Sequence, residues 1–265
     1  MLKDITLGQF FPGDTLIHRL DPRTKIICVM VYIVALFMAQ GWAAYSLLTG
    51  VTILLMLISR ISPKRIFTGL KPMFFIIILT GILNIFYTKG TPVLEGWIIT
   101  WEGLEKAAQM ILRITLLISG TFLLTYTTSP IALTDGLERL LNPLKRIGLP
   151  IHEMTLMMSM ALRFIPTLIE ETDKIMSAQR ARGADFETGG LIKRAKALLP
   201  ILVPLFVSAF RRADELAVAM ESRCYHGGEG RTRMKQMKLA AIDGGAALFT
   251  AAFFAAVIVL KRISI

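Results

Sequence analysis

Ile26 to Ser59 reads IICVMVYIVALFMAQGWAAYSLLTGVTILLMLIS, 34 residues without a charge. As one helix it would be about 50 Å long at 1.5 Å per residue, against a hydrocarbon core of about 30 Å. Gln40-Gly41-Trp42 interrupts it near the middle, which predicts two spans joined by a tight turn. Each half is short for a span unless its ends dip into the headgroups, and a re-entrant pair is the other reading.

Composition agrees with a bilayer environment. Of 265 residues, 54% are hydrophobic, and mean hydropathy is +0.60. That exceeds the apolar share of an ordinary soluble domain. Yet 18% are charged, so part of the chain lives in water. The net charge of +11 matches the positive-inside bias of a membrane protein better than a nucleic-acid surface, given the apolar runs.

Working outward, Pro72 to Thr88 is a third uncharged span and about Ala107 to Tyr126 a fourth. Arg113 lies one or two turns inside the fourth; it is either functional or snorkels to the interface. A fifth span, Gly244 to Leu260, ends in Lys261-Arg262. Charge bias orients the spans. Arg60 to Lys71 carries four cations (Arg60, Lys64, Arg65, Lys71) and no acid. Lys89 to Lys106 carries Glu95, Glu102 and Glu105 against two cations, together with Trp97 and Trp101 at a membrane boundary. The first segment is therefore expected in the cytoplasm and the second outside. The N-terminus, with Arg19, Arg23 and Lys25 at the entrance, is expected inside and the C-terminus outside.

Between Ser129 and Leu239 the pattern becomes that of amphipathic helices. Ser129-Pro130 is an N-cap followed by proline at the first helical position. That helix should run to Asn142-Pro143, with Asp135 and Glu138 solvated. A second helix opens near Pro150, carries apolar Leu168, Ile169, Ile175 and Met176 beyond Pro166, and stops at Gly183. A third begins around Leu191. Its uncharged Leu198 to Phe210 is expected to be broken by Pro200 and Pro204 and is too short to span. The expected fold is all-α: a polytopic membrane protein with about five transmembrane helices and a cytoplasmic domain of long amphipathic helices. Its boundaries are 1–127, 128–239 and 240–265.

The second and third helices end alike, in Ala181-Arg182-Gly183 and Ser222-Arg223-Cys224. A cation in a last turn complements the helix macrodipole and needs no further role. Two matched endings, 41 positions apart, also suit a pair of plugs for two similar sockets, since guanidinium is a rigid fork for carboxylates. Met154, Met157, Met158, Met160 and Met176 are either core filler or a surface that repacks against different partners.

Catalytic signals are sparse. There is no G-x-x-x-x-G-K-[ST] phosphate loop, nucleophile elbow or H-E-x-x-H pair. Cys28 and Cys224, and His18, His152 and His226, are too scattered for a disulfide framework or a metal site. An intramembrane enzyme would need carboxylates or histidines in the spans. A stand-alone carrier would need more polar groups along a path than Gln40, Asn84 and Arg113.

The entry segment Gly8-Gln9-Phe10-Phe11-Pro12-Gly13-Asp14, followed by His18-Arg19-Leu20-Asp21-Pro22-Arg23-Thr24-Lys25, resembles the N-terminal signature of the transmembrane T component of energy-coupling factor (ECF) transporters, the EcfT family. Leu162-Arg163-Phe164-Ile165-Pro166 and the two arginine tips resemble later signatures, in the expected order. The second tip departs from Ala-Arg-Gly in carrying serine and cysteine. The resemblance implies a non-catalytic subunit of an ABC-type importer of vitamins or other micronutrients, in a bacterial-type cell membrane and of the shared-module type. It implies two cytoplasmic ABC ATPases that bind ATP and Mg, a membrane S component that binds substrate, and no cofactor in this chain. It assigns ATPase coupling to Ala181, Arg182, Gly183, Ser222, Arg223 and Cys224.

Overall fold

The computed structural model describes residues 10–91, 99–186, 188, 190–227 and 239–263. Gly8, Gln9, Glu95 and Trp97, which the reading above uses, lie outside them. The described residues form helices α1 (Leu16–Arg19), α2 (Pro22–Met38), α3 (Gly41–Ser59), α4 (Pro63–Leu70), α5 (Phe74–Tyr87), α6 (Trp101–Thr127), α7 (Pro130–Leu141), α8 (Ile151–Ala181), α9 (Leu191–Glu221) and α10 (Ala241–Ile263). Short 3-10 segments fill Lys71–Met73 and Asn142–Ile147, and none of the described residues forms a strand. The chain is thus an all-α polytopic membrane protein. It divides into two compact units: Gly8–Leu140 with Gln236–Ile265, and Leu141–Lys235.

In the first unit all five apolar segments are helical. Among the described residues four stretches are long and apolar enough to cross a membrane: α3, the run from Pro63 to Tyr87, α6 and α10. The 17-residue α2 is shorter, about 25 Å by the helical rise. The turn at Gln40 is tight because Gly41 takes a positive φ of 75°, which costs glycine nothing. The cationic stretch from Arg60 to Lys71 is itself largely helical, as α4.

The core of this unit is the junction of α2, α3, α6 and α10. Tyr32, Leu36, Tyr45, Leu48, Leu116, Phe253 and Val257 interdigitate around fully buried Ala35, Ala39 and Ala44. Lipid gives helices little hydrophobic reason to associate, so close approach over small residues carries the packing. Gly120 shows the tolerance: a Cβ there would fall 2.5 Å from the Tyr32 ring. Polar glue adds to it. The Tyr32 hydroxyl donates to the Leu116 carbonyl (3.2 Å) and meets Thr52 Oγ1 at 2.8 Å, tying α2, α3 and α6 in one place. α5 and α6 run antiparallel, with Gly81 against Ile111 and Gly103 against the Ile85 carbonyl.

Ser129 caps α7 as its spacing predicts, its Oγ accepting from Ala132 N–H at 3.3 Å. Asp135 and Glu138 are half-buried rather than solvated. The reason is the docking of α7 on the start of α2, where a Cβ on Gly136 would come within 2.9 Å of Pro22 Cβ.

The second unit is built on α8 and α9, each 31 residues long. Pro166 lies inside α8. Pro200 and Pro204 lie inside α9 without breaking it, contrary to expectation. Each proline removes one N–H from the ladder. Spaced four apart, the two fall on one face, so the opposite face keeps its hydrogen bonds and the helix continues.

Candidate functional site

The two arginine tips end in the same backbone construction. At the end of α8, Arg182 N–H donates to the Gln179 carbonyl (3.1 Å), Gly183 N–H to Arg180 (3.0 Å) and Ala184 N–H to Gln179 (3.0 Å). At the end of α9, Arg223 N–H donates to Met220 (3.1 Å), Cys224 N–H to Glu221 (2.8 Å) and Tyr225 N–H to Met220 (3.0 Å). The residue after each arginine is left-handed, Gly183 at φ 86° and Cys224 at φ 58°. This closure consumes carbonyls that a helix end leaves unsatisfied and turns the chain sharply away. Each arginine therefore stands at a blunt, exposed end. Among the described residues neither guanidinium carries an ion-pair or hydrogen-bond partner.

The helices behind the tips are braced at equivalent places. Arg212 Nη2 donates to Glu171 Oε2 at 2.8 Å, joining residues 41 positions apart, the same offset that separates the tips. Each tip arginine lies eleven positions beyond that brace, about 16 Å along its helix. A hydrogen bond from the Ser208 hydroxyl, and then the charge and hydrogen bond of Arg212, hold the Glu171 carboxyl below its usual pKa. A lowered folded-state pKa means that the stabilisation is present above the unfolded value, about 4.3, and is lost as pH falls through the folded one. Melting curves of the intact chain should therefore be flat in this term at neutral pH and decline below about pH 4. Glu171→Gln should flatten that decline, and an unchanged acid limb would show that the brace does not contribute.

With the tips placed, the comparisons decide the family. The family model described as Cobalt transport protein (CbiQ) matches residues 13–234. A protein of Clostridium kluyveri called Energy-coupling factor transporter transmembrane protein EcfT is 56% identical over 247 residues, 92% of each chain. Proteins of the same name from Ruminiclostridium cellulolyticum and Bacillus subtilis are 52% identical over 266 residues and 49% over 240. They cover 99% of both chains in the first case, and 89% of this chain and 91% of the relative in the second. The chain belongs to the EcfT family. It is a transmembrane component of an energy-coupling factor transporter.

In this EcfT chain the serine and cysteine of the second tip leave its backbone closure unchanged. The serine hydroxyl folds back onto its own helix, donating to the Val218 carbonyl at 2.8 Å. Cys224 bears the strain of the left-handed position, about 1 kcal/mol for a residue with a Cβ. Cys224→Gly should remove it and slow hydrogen exchange of the Tyr225 amide about fivefold, with Gly183→Ala speeding exchange at Ala184. Unaltered exchange in both would mean that the closure is not limited by this conformation.

Other charged residues have structural work. Lys25, read from the sequence as an entrance cation, is buried: Nζ donates to the Thr127 carbonyl (2.9 Å), Thr128 Oγ1 (3.2 Å) and the His18 carbonyl (3.3 Å). It thus closes the C-terminal end of α6. Asp21 caps α2, accepting from Arg23 N–H at 2.9 Å. Its own N–H donates to Asp243 Oδ1 at 2.8 Å, across 222 positions. Sequence reasoning missed Asp243, which is 4% exposed and also accepts from Ala240 N–H at 2.8 Å. The available signal was its place as the one charge at the threshold of an apolar run. Arg113 reaches neutral acceptors at the other end of α2, Tyr45 Oη (2.9 Å) and the Ala39 carbonyl (3.3 Å). Among the described residues no three of His, Cys, Asp and Glu converge on a metal-sized site.

Proposed function

We propose that this chain is the coupling subunit of an ECF-type importer. It would pass ATP-driven motion of two cytoplasmic ATPase subunits to a separate membrane S component that carries a vitamin or other micronutrient. The observation that carries this reading is the pair of exposed arginines, without partners among the described residues, on helix ends of the same backbone closure. One cationic helix end is accounted for by the macrodipole. Two with the same closure, the same offset and a brace at the same distance behind them suit two copies of one socket. Residues Ala181, Arg182, Gly183, Ser222, Arg223 and Cys224 would enter grooves of the ATPases, each guanidinium meeting a carboxylate. α8 and α9, locked at Glu171–Arg212, would move together when the ATPases close.

In this proposal residues 1–127 and 240–265 form the membrane region and 128–239 the coupling domain. The tips and the N-terminus face the cytoplasm and the C-terminus lies outside. ATP and Mg belong to the ATPases, and this chain needs no cofactor. The shared-module arrangement would let one such chain serve several S components. A tagged copy expressed with candidate ATPase and S-component genes from its own genome tests the reading. Recovery of both ATPases and an S component supports it. Recovery of the chain alone, with uptake intact, would point instead to a stand-alone carrier.

A further inference from the structure

We propose that the notch beside the α2–α3 turn binds the headgroup of an anionic phospholipid. α6 passes that turn at Arg113 and continues to Trp101, twelve positions nearer its start, about 18 Å by the helical rise. α5 runs beside it, with Asn84 in its last turn. The hairpin of α2 and α3 does not follow, because α2 closes at Ala39, whose carbonyl receives Arg113. What remains is a cavity of about 190 Å³ lined by Tyr45, Asn84, Lys106, Gln109, Met110 and Arg113.

Two cations line this cavity and no carboxylate of the described residues does. The α6 acids beside it already hold protein donors, one of them on the cavity-lining Gln109. Glu102 holds the Thr91 N–H and hydroxyl, and Glu105 holds the Gln109 amide. Arg113 commits Nε to Tyr45 and one Nη2 proton to Ala39, while among the described residues Nη1 has only the Met110 sulfur at 3.8 Å. The Nη1–Nη2 edge is the fork that takes a phosphate through two parallel hydrogen bonds. The Tyr45 hydroxyl accepts from Arg113 and keeps its own proton to donate.

A guanidinium at this depth is costly without a counter-charge. An anionic headgroup supplies one, through the charge-assisted hydrogen bonds that a guanidinium fork makes with phosphate oxygens. A lipid is favoured over a soluble anion because Trp42 and Tyr87, each three positions from a lining residue (Tyr45 and Asn84) and so on the same helix face, are exposed aromatics, a wall for acyl chains.

Native mass spectrometry of the intact chain in mild detergent tests this, with phosphatidylglycerol, phosphatidylcholine and inorganic phosphate as separate additions. The wild-type chain should retain phosphatidylglycerol in preference to phosphatidylcholine. Lys106→Gln, an exposed rim position, should cut that retention about fivefold. Arg113→Gln should cut it further, with its melting curve recorded because Arg113 also closes α2. Equal retention by wild type and Lys106→Gln overturns the proposal. A wild-type chain that holds inorganic phosphate but no phosphatidylglycerol overturns the lipid assignment in favour of a soluble anion.

Discussion

Uptake should be lost when Arg182 and Arg223 are both replaced by glutamine, while the chain still reaches the membrane at its normal level. A hydrogen bond to a charged partner contributes about 1.5–3 kcal/mol. Losing one at each of two tips should weaken ATPase docking by about 10²- to 10⁴-fold. The competing role, a cation complementing a helix dipole, makes a different prediction. There, glutamine would cost only about 0.3–1 kcal/mol of helix stability and leave docking alone. Lysine separates the two further, since it keeps the charge but not the planar fork. We expect Arg→Lys at both tips to impair ATPase retention in pull-downs while leaving the melting temperature unchanged. Normal uptake by the double glutamine chain would remove the tips from the coupling mechanism.

Asp243→Ala should be the most damaging single change in the membrane unit. It strips the acceptor from two N–H groups, those of Asp21 and Ala240, and Asp21 is itself buried. A buried donor left unsatisfied costs about 1–3 kcal/mol. Losing the buried bond at Asp21 and the part-buried one at Ala240 should lower the melting temperature of the intact chain in detergent by about 5–10 °C. Asp243→Asn keeps an oxygen for one of the two donors and should fall between. The same region holds Lys25, whose ammonium closes α6 at Thr127, so Lys25→Met should destabilise as well. If Asp243→Ala melts within about 2 °C of the wild type, water or a shifted backbone must be satisfying those groups.

These expectations differ in how visible they were beforehand. Arg182 and Arg223 stand out in the one-dimensional chain because helix stops are local. A Gly183 that ends a periodic stretch, or a Ser129-Pro130 that opens one, acts through hydrogen bonds over three to five positions. The spans were visible for the same reason: uncharged runs and loop charges are properties of contiguous segments. Pro200 and Pro204 were misjudged because a missing N–H looks fatal in a list of residues, whereas a helix can confine the deficit to one face.

Segment by segment, hydropathy and charge were enough to establish an all-α membrane chain with two long amphipathic helices, and helix-stop chemistry was enough to pick out their arginine tips. Packing alone turned Lys25 from an entrance cation into a buried helix closure, joined Asp21 to Asp243 across 222 positions, and set Glu171 against Arg212. It also showed that Cys224 takes the backbone conformation that Gly183 takes. Such facts depend on which helices touch and at what depth. Those pairings arise between segments far apart in the chain, so no local pattern of residues encodes them.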